Sequence, residues 1–189
     1  MIGDRSRSLL VELAHHHSAD PLEAMHSARL SALLAAAADA MARSHFDPGH
    51  VTASAFVVHR DSRTILLHLH RRLGRWLQMG GHLDGGETPR EAALREAREE
   101  SGLRDLRLVT PAILDLDVHS IPAGRGEPAH LHFDVRFLVE TSAPDRIAIR
   151  PDESRDLRWF GLDEAERAMG EAASSRALGK IAAVLGAGR

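Results

Sequence analysis

Glu96, Glu99 and Glu100 stand close together in the run Arg95-Glu96-Ala97-Arg98-Glu99-Glu100, and the loop before them carries two glycine pairs, Gly80-Gly81 and Gly85-Gly86. Grouped carboxylates are hard oxygen donors that suit Mg2+ or Mn2+ and the phosphate oxygens such an ion binds. Glycines let a backbone approach a ligand closely, so carbonyls and amides of the loop can join the carboxylates. That donor set points to a divalent cation gripping a phosphorylated substrate. The competing reading is a solvated acidic face, because like charges at i,i+4 cost only about a few tenths of a kcal/mol in water.

Which reading holds depends on the element that carries the acids. Thr88 can cap a helix, Pro89 suits its first position, and Glu91 can close a capping box. Gly102 is a natural left-handed stop. The sequence therefore predicts a helix from about Pro89 to Ser101. With 3.6 residues per turn, Glu99 and Glu100 fall roughly 60° to one side and 40° to the other side of Glu96. All three carboxylates share one face, and Ala93, Leu94 and Ala97 point away from it toward a core.

Histidine forms the second group, with 13 copies in the chain. His82 lies in the glycine loop and His50 opens a β-rich run. His130 and His132 are two apart on one strand and so face the same way. Histidine is the commonest transition-metal ligand, which makes a second, histidine-bound metal an expectation for these four. Packing and hydrogen bonding beside the first site is the alternative. His68 and His70 also share a strand face but read as ordinary surface or core residues, and Asp117 and Asp134 read as structural. His15–His17 suit a solvated helix end, and Arg71, Arg72 and Arg75 a solvated loop.

The elements around these groups fall into two blocks. Residues 1–47 are expected to form a helical extension, with helices over about residues 5–44 restarted at Asp20-Pro21 and closed by Phe46-Asp47-Pro48-Gly49. Residues 48–189 form the main domain. There HVTASAFVVHR and TILLHLHRR read as a hairpin around Asp61-Ser62-Arg63, followed by a short WLQM strand. Strands over LRLVTPAILDLDVHS, HLHFDVRFLVE and DLRWF and helices over LDEAERAM and SRALGKIAAVLG complete an α/β sandwich pattern.

Composition limits the remaining classes. The 189-residue chain is 43% apolar and 27% charged with net charge −3, as a soluble globular protein would be. It has no basic excess for general nucleic-acid or anionic-membrane binding. It contains no cysteine and no tyrosine, which excludes disulfides, thiolate metal sites and a cysteine nucleophile. No signal-peptide pattern and no run of about 18 apolar residues occurs, so a cytoplasmic protein without a membrane span is expected. The N-terminal helices are expected to pack on the main domain or on a second copy in a homodimer.

Gly81, Glu87, Arg95, Glu96, Ala97, Glu99, Glu100, Gly102 and Leu103 meet every fixed position of the Nudix hydrolase signature, and the chain resembles that family over roughly residues 50–165. Met79 stands where many members have proline and Asp84 where many have glutamate. The resemblance implies a Nudix α/β/α sandwich with a mixed sheet. It also implies divalent ions, Mg2+ or Mn2+, on Glu96, Glu99, Glu100 and the Gly80 carbonyl. Glu87 would contribute directly or through water, and Arg95 would orient Glu96 or Glu99. The implied reaction is attack of water on phosphorus in the diphosphate linkage of a nucleotide derivative. The general base is open between Glu153 and Glu96. A ligand-sensing module without catalysis is the rival, weakened by the intact motif.

The histidines bear a second likeness. His50 and His82 resemble metal-binding positions of the Nudix-fold isopentenyl-diphosphate isomerases, with His130 and His132 where those enzymes place two carboxylates. Asp152-Glu153…Trp159 and, loosely, His45 extend the likeness. Those enzymes use a cysteine where this chain has Gly80, so the isomerase chemistry is not expected here.

Overall fold

A computed structural model of the protein describes residues 3–124 and 126–186. Two helices, α1 (Asp4–His15) and α2 (Pro21–Ala36), precede the strands β1 (Gly49–His59), β2 (Thr64–His70), β3 (Trp76–Leu77) and β4 (Met79–His82). Helix α3 (Pro89–Ser101) leads to β5 (Arg107–Leu108), β6 (Asp115–Ile121), β7 (His130–Glu140) and β8 (Ser154–Gly161). Helices α4 (Leu162–Met169) and α5 (Ala172–Gly186) close the chain. The strands form one mixed sheet of eight.

β1 organises this sheet because ten of its eleven residues are buried, as in a strand covered on both faces. On one side it pairs in parallel with β7 over its length, His50 opposite His132 and Val58 opposite Glu140. Its other side is shared. β4 pairs antiparallel with Thr52–Ala55, and β2 takes over at Val57. The fork between β4 and β2 opens the sheet toward α3.

Alternation along β1 sorts the two faces. Val51, Ala53, Ala55 and Val57 join Leu9, Leu30, Leu34, Ala93 and Ala97 in one core under α1, α2 and α3. Phe56 and Val58 face the other way, into a core with Met169, Leu178 and Ile181 of α4 and α5. The N-terminal half of that second face is polar, presenting His50, Thr52 and Ser54. The α/β/α sandwich with a mixed sheet and an N-terminal helical segment thus matches the expectation.

Some elements are cut differently from the sequence pattern. The alanine-rich helix ends at Ala36, well before Arg43, because Ala40 and Met41 are buried in the core and the Ala40 carbonyl accepts the Val51 N–H at 2.9 Å. Tertiary contacts there override helix propensity. WLQM is not one strand: Trp76–Leu77 pairs with β2, whereas Met79 onward pairs with β1. The run LRLVTPAILDLDVHS likewise splits into β5 and β6, both on β7.

Buried charges lock α2 and α5 to the sheet. Glu23 is fully buried and accepts the Lys180 ammonium at 2.6 Å through both oxygens, the Leu116 N–H at 3.2 Å and a bond from Ser18. Burial alone would raise its pKa, but bonds from His16, Lys180 and Ser18 outweigh it and hold the carboxyl well below its ordinary value. Arg136, 3% exposed, is enclosed by Asp134, Asp115 and Asp117 at 3.0, 3.3 and 3.1 Å.

Taking one partner from such a network strands the other in the interior. Glu23→Ala is expected to lower stability by about 2–4 kcal/mol in urea unfolding, toward the low end because Lys180 is partly exposed. The depressed carboxyl makes this contribution complete above the unfolded pKa near 4.5 and lost as pH falls below it, so wild type and variant should converge in acid.

Candidate metal centre

Helix α3 is built to hold acids at a fixed angle. Thr88 Oγ1 accepts the Glu91 N–H and the Glu91 carboxylate accepts the Thr88 N–H, completing the capping box, and Gly102 stops the helix at φ 74°. Ala92, Ala93 and Ala97 are buried against the sheet, which turns Glu96 and Glu100 toward the β4–β2 fork. Ala97, at the motif's apolar position, is fully buried.

Glu100 is 5% exposed and accepts the Gly80 N–H at 2.8 Å. In an antiparallel pair the N–H and C=O of a residue leave the same strand edge. Gly80 therefore also presents its carbonyl toward the acids rather than toward β1. Glu96 sits directly over Gly81: a Cβ there would stand 2.5 Å from Glu96 Oε1 and displace that carboxylate. Arg95 donates to Glu96 at 2.9 Å, lies 3.7 Å from Glu99, and grips Glu87 with a fork of 2.8 and 3.0 Å. Glu99 is the exposed member, with Arg150 at 3.6 Å.

Burial and the nearby Glu96, Glu153 and Glu99 carboxylates push Glu100 up to about 8, despite the Gly80 amide. Burial also raises Glu96, against the pull of Arg95. On the far side of Glu100 lies His68, 3.7 Å away and donating to or accepting from Ser154 at 2.8 Å. Burial holds that imidazole near 4, so it is uncharged at neutral pH and offers Glu100 no counter-charge. Glu153 Oε2 is buried without a hydrogen-bond partner. The hard oxygen donors crowded together at Glu96, Glu99 and Glu100 fit a divalent cation, with the unengaged Glu153 beside them.

The four sequence-nominated histidines also converge, in a separate cluster at the far end of β4. His50 stacks on His130 with centroids 5.0 Å apart, and His82 and His132 lie 5.1 and 4.9 Å from His50. Burial drives His82 down to about 4 and His132 to about 2, and it lowers His50 as well.

Of the expected site residues, Glu96, Glu99, Glu100, Arg95, Gly80 and Glu153 stand together. Glu87 does not join the cluster with free oxygens: Arg95 and the Asp84 N–H occupy its carboxylate and hold its pKa below the ordinary value. His68 reads from the sequence as an ordinary surface or core residue, since Ile65-Leu66-Leu67 is apolar at both parities and does not reveal that His68 faces Glu100. Asp117 and Asp134 serve the Arg136 network, as expected of structural residues. Arg71 and Arg75 contact the Pro151 carbonyl and Glu171. The position of the isomerase cysteine is closed, for a Cβ on Gly80 would meet Ser54 Cβ at 2.5 Å.

Known proteins resemble this chain in sequence and in fold. The asymmetrical bis(5'-nucleosyl)-tetraphosphatase of Rattus norvegicus is 31% identical over 108 residues, which cover 56% of this chain and 70% of that protein. A NUDIX-family hydrolase of Clostridium perfringens, 28% identical, superposes with a TM-score of 0.54 over 71% of this chain and 97% of its own. The C. elegans Ap4A hydrolase in a binary complex, 20% identical, has the same fold, with a TM-score of 0.60 over 72% of this chain and 98% of that one. The NUDIX domain model matches residues 48–179, and with α3 carrying its acids into the fork of a mixed sheet, the chain belongs to the NUDIX domain family.

Proposed function

We propose that the protein hydrolyses a phosphoanhydride in a nucleoside diphosphate linked to another group, using Mg2+ or Mn2+ held by Glu96, Glu99, Glu100 and the Gly80 carbonyl. The observation behind this reading is the buried Glu100, lifted to about 8 among like charges at the fork between β4 and β2. A bound ion there would make water more acidic and offset charge on the phosphate oxygens.

The chain's own residues have distinct tasks. Arg95 fixes Glu96 and is itself fixed by Glu87 and the His82 carbonyl, so the acid nearest the glycine pair keeps one rotamer. Glu153 is the general base, favoured over Glu96 because its Oε2 is unengaged whereas Arg95 occupies Glu96 Oε1. As water attacks, a new P–O bond forms and the anhydride P–O bond breaks. The water proton goes to Glu153 and the departing phosphate takes the bridging oxygen. The buried, neutral His68 supports Glu100 from behind. A dinucleoside polyphosphate is the first substrate to assay, by analogy with the rat relative's name.

Turnover of a panel of dinucleoside polyphosphates, nucleoside triphosphates, ADP-ribose and nucleotide sugars with Mg2+ or Mn2+ tests the assignment. Glu99→Gln and Glu100→Gln should each cut kcat/KM at least about 100-fold, and turnover that survives both changes would mean the site is elsewhere. Glu153→Gln should lower kcat by about 10²–10⁴ while leaving Mn2+ affinity intact, whereas Glu96→Gln should weaken both. Removing the buried repulsion gives a separate, activity-free check. Glu100→Gln should melt higher than wild type in chelator, and it should lose the rise in Tm that saturating Mn2+ gives the wild type.

A further inference from the structure

The hydrolytic reading leaves the histidine cluster unused. His50 and His132 are direct neighbours across the β1–β7 ladder, and His130 lies two residues along β7 on the same face. His82 stands on β4 opposite Thr52. One ring nitrogen from each of His50, His130 and His132 falls within 4.8 Å of the other two. In a tetrahedral centre with metal–nitrogen bonds of about 2.1 Å, ligand nitrogens stand about 3.4 Å apart. His130 Nε2 and His132 Nε2 are already 3.3 Å apart.

Hydrogen bonding shows what the rings offer to that space. The Nδ1–H of His50 donates to the His45 carbonyl at 3.1 Å, and the Nδ1–H of His130 donates to the Pro128 carbonyl at 2.8 Å. With Nδ1 turned to a backbone carbonyl in both rings, Nε2 is the nitrogen each directs into the cluster. A proton on His132 Nε2 can satisfy His130. Nothing satisfies His50, whose Nε2 is buried without a hydrogen-bond partner in a residue 1% exposed. Such an unpaired buried group is costly, and native proteins seldom carry one without a use.

Ring stacking accounts for part of the arrangement. Phe46 packs on His130 with centroids 5.0 Å apart, and the histidine pairs lie at stacking and edge distances. Stacking does not explain backbone carbonyls pinning two rings by Nδ1 so that Nε2 points inward. That orientation is how proteins hold imidazole ligands on a metal.

We propose that His50, His130 and His132, with His82 as the fourth ligand, bind one divalent transition metal such as Zn2+, Fe2+, Co2+ or Ni2+. The all-nitrogen donor set separates it from the oxygen-donor glutamate site, and its occupancy does not require that site to be catalytic. His82 is two residues from Gly80, about 7 Å at the rise of a β-strand, so the metal would tie three strands together beside the acid cluster.

The test uses full-length protein without a histidine tag. Elemental analysis of the purified protein should find about one equivalent of a transition metal, or chelator-treated protein should take up about one equivalent of Co2+ with the visible bands of a tetrahedral nitrogen site. His50→Gln and His132→Gln should each weaken uptake at least about tenfold while far-UV dichroism stays that of wild type. His82→Asn, at the less buried fourth position, supplies a milder variant if either of those fails to fold. Glu99→Gln and Glu100→Gln should leave the tetrahedral Co2+ bands unchanged, which separates this site from the oxygen-donor one. Protein that holds less than about a tenth of an equivalent and takes up none on reconstitution overturns the proposal. Uptake lost in the glutamate variants but kept in the histidine variants overturns it as well.

Discussion

Carboxylates that repel one another are held together here by a backbone that gives them nowhere else to go. Glu100 is anchored by the Gly80 amide inside the sheet fork, Glu96 is wedged over Gly81, and Arg95 ties Glu96 to the loop through Glu87 and the His82 carbonyl. Each anchor holds a carboxyl group where water cannot screen its charge well. The fold thus maintains a standing demand for positive charge, and phosphoanhydride chemistry with a divalent ion is the function that meets it.

The rest of the molecule can be understood as support for that fork. β1 binds β4 with one half and β2 with the other, which creates the gap that α3 covers. The N-terminal helices are part of the same frame. Arg5 donates to the Glu87 carbonyl at 2.8 Å and Glu12 pairs with Arg90 at 2.9 Å, so α1 touches both the glycine loop and the start of α3. Glu23, Lys180, Asp115 and Arg136 then bind α2 and α5 to the sheet edge by buried charge. Strength is concentrated where helices meet the sheet, leaving the acid cluster to be destabilising by itself.

Much of this could be read from the sequence because it is written in local signals. The Thr88–Glu91 box, Pro89 and Gly102 define α3 almost residue by residue, and helical spacing puts the three glutamates on one face. Two-residue periodicity placed His130 and His132 together. What the sequence hid depends on long-range pairing. Gln78 separates two strands only because β1 changes partner there, and Ala37 leaves the helix only because Ala40 and Met41 have a core to fill. The place of His68 beside Glu100 is hidden for the same reason, since its strand is apolar on both sides. Glu87 illustrates a subtler limit: its place in the motif suggested a direct or water-mediated contribution, and the motif does not reveal that the Arg95 fork engages both its oxygens.

The most direct measurement is a crystal grown with Mn2+ and examined by anomalous scattering at the manganese edge. An ion among the Glu96, Glu99 and Glu100 oxygens, at contact distances of about 2.1–2.3 Å and within reach of the Gly80 carbonyl, is the predicted result. A map with no manganese at the β4–β2 fork, or with it bound only at sites that leave those three glutamates in solvent, would contradict the central claim.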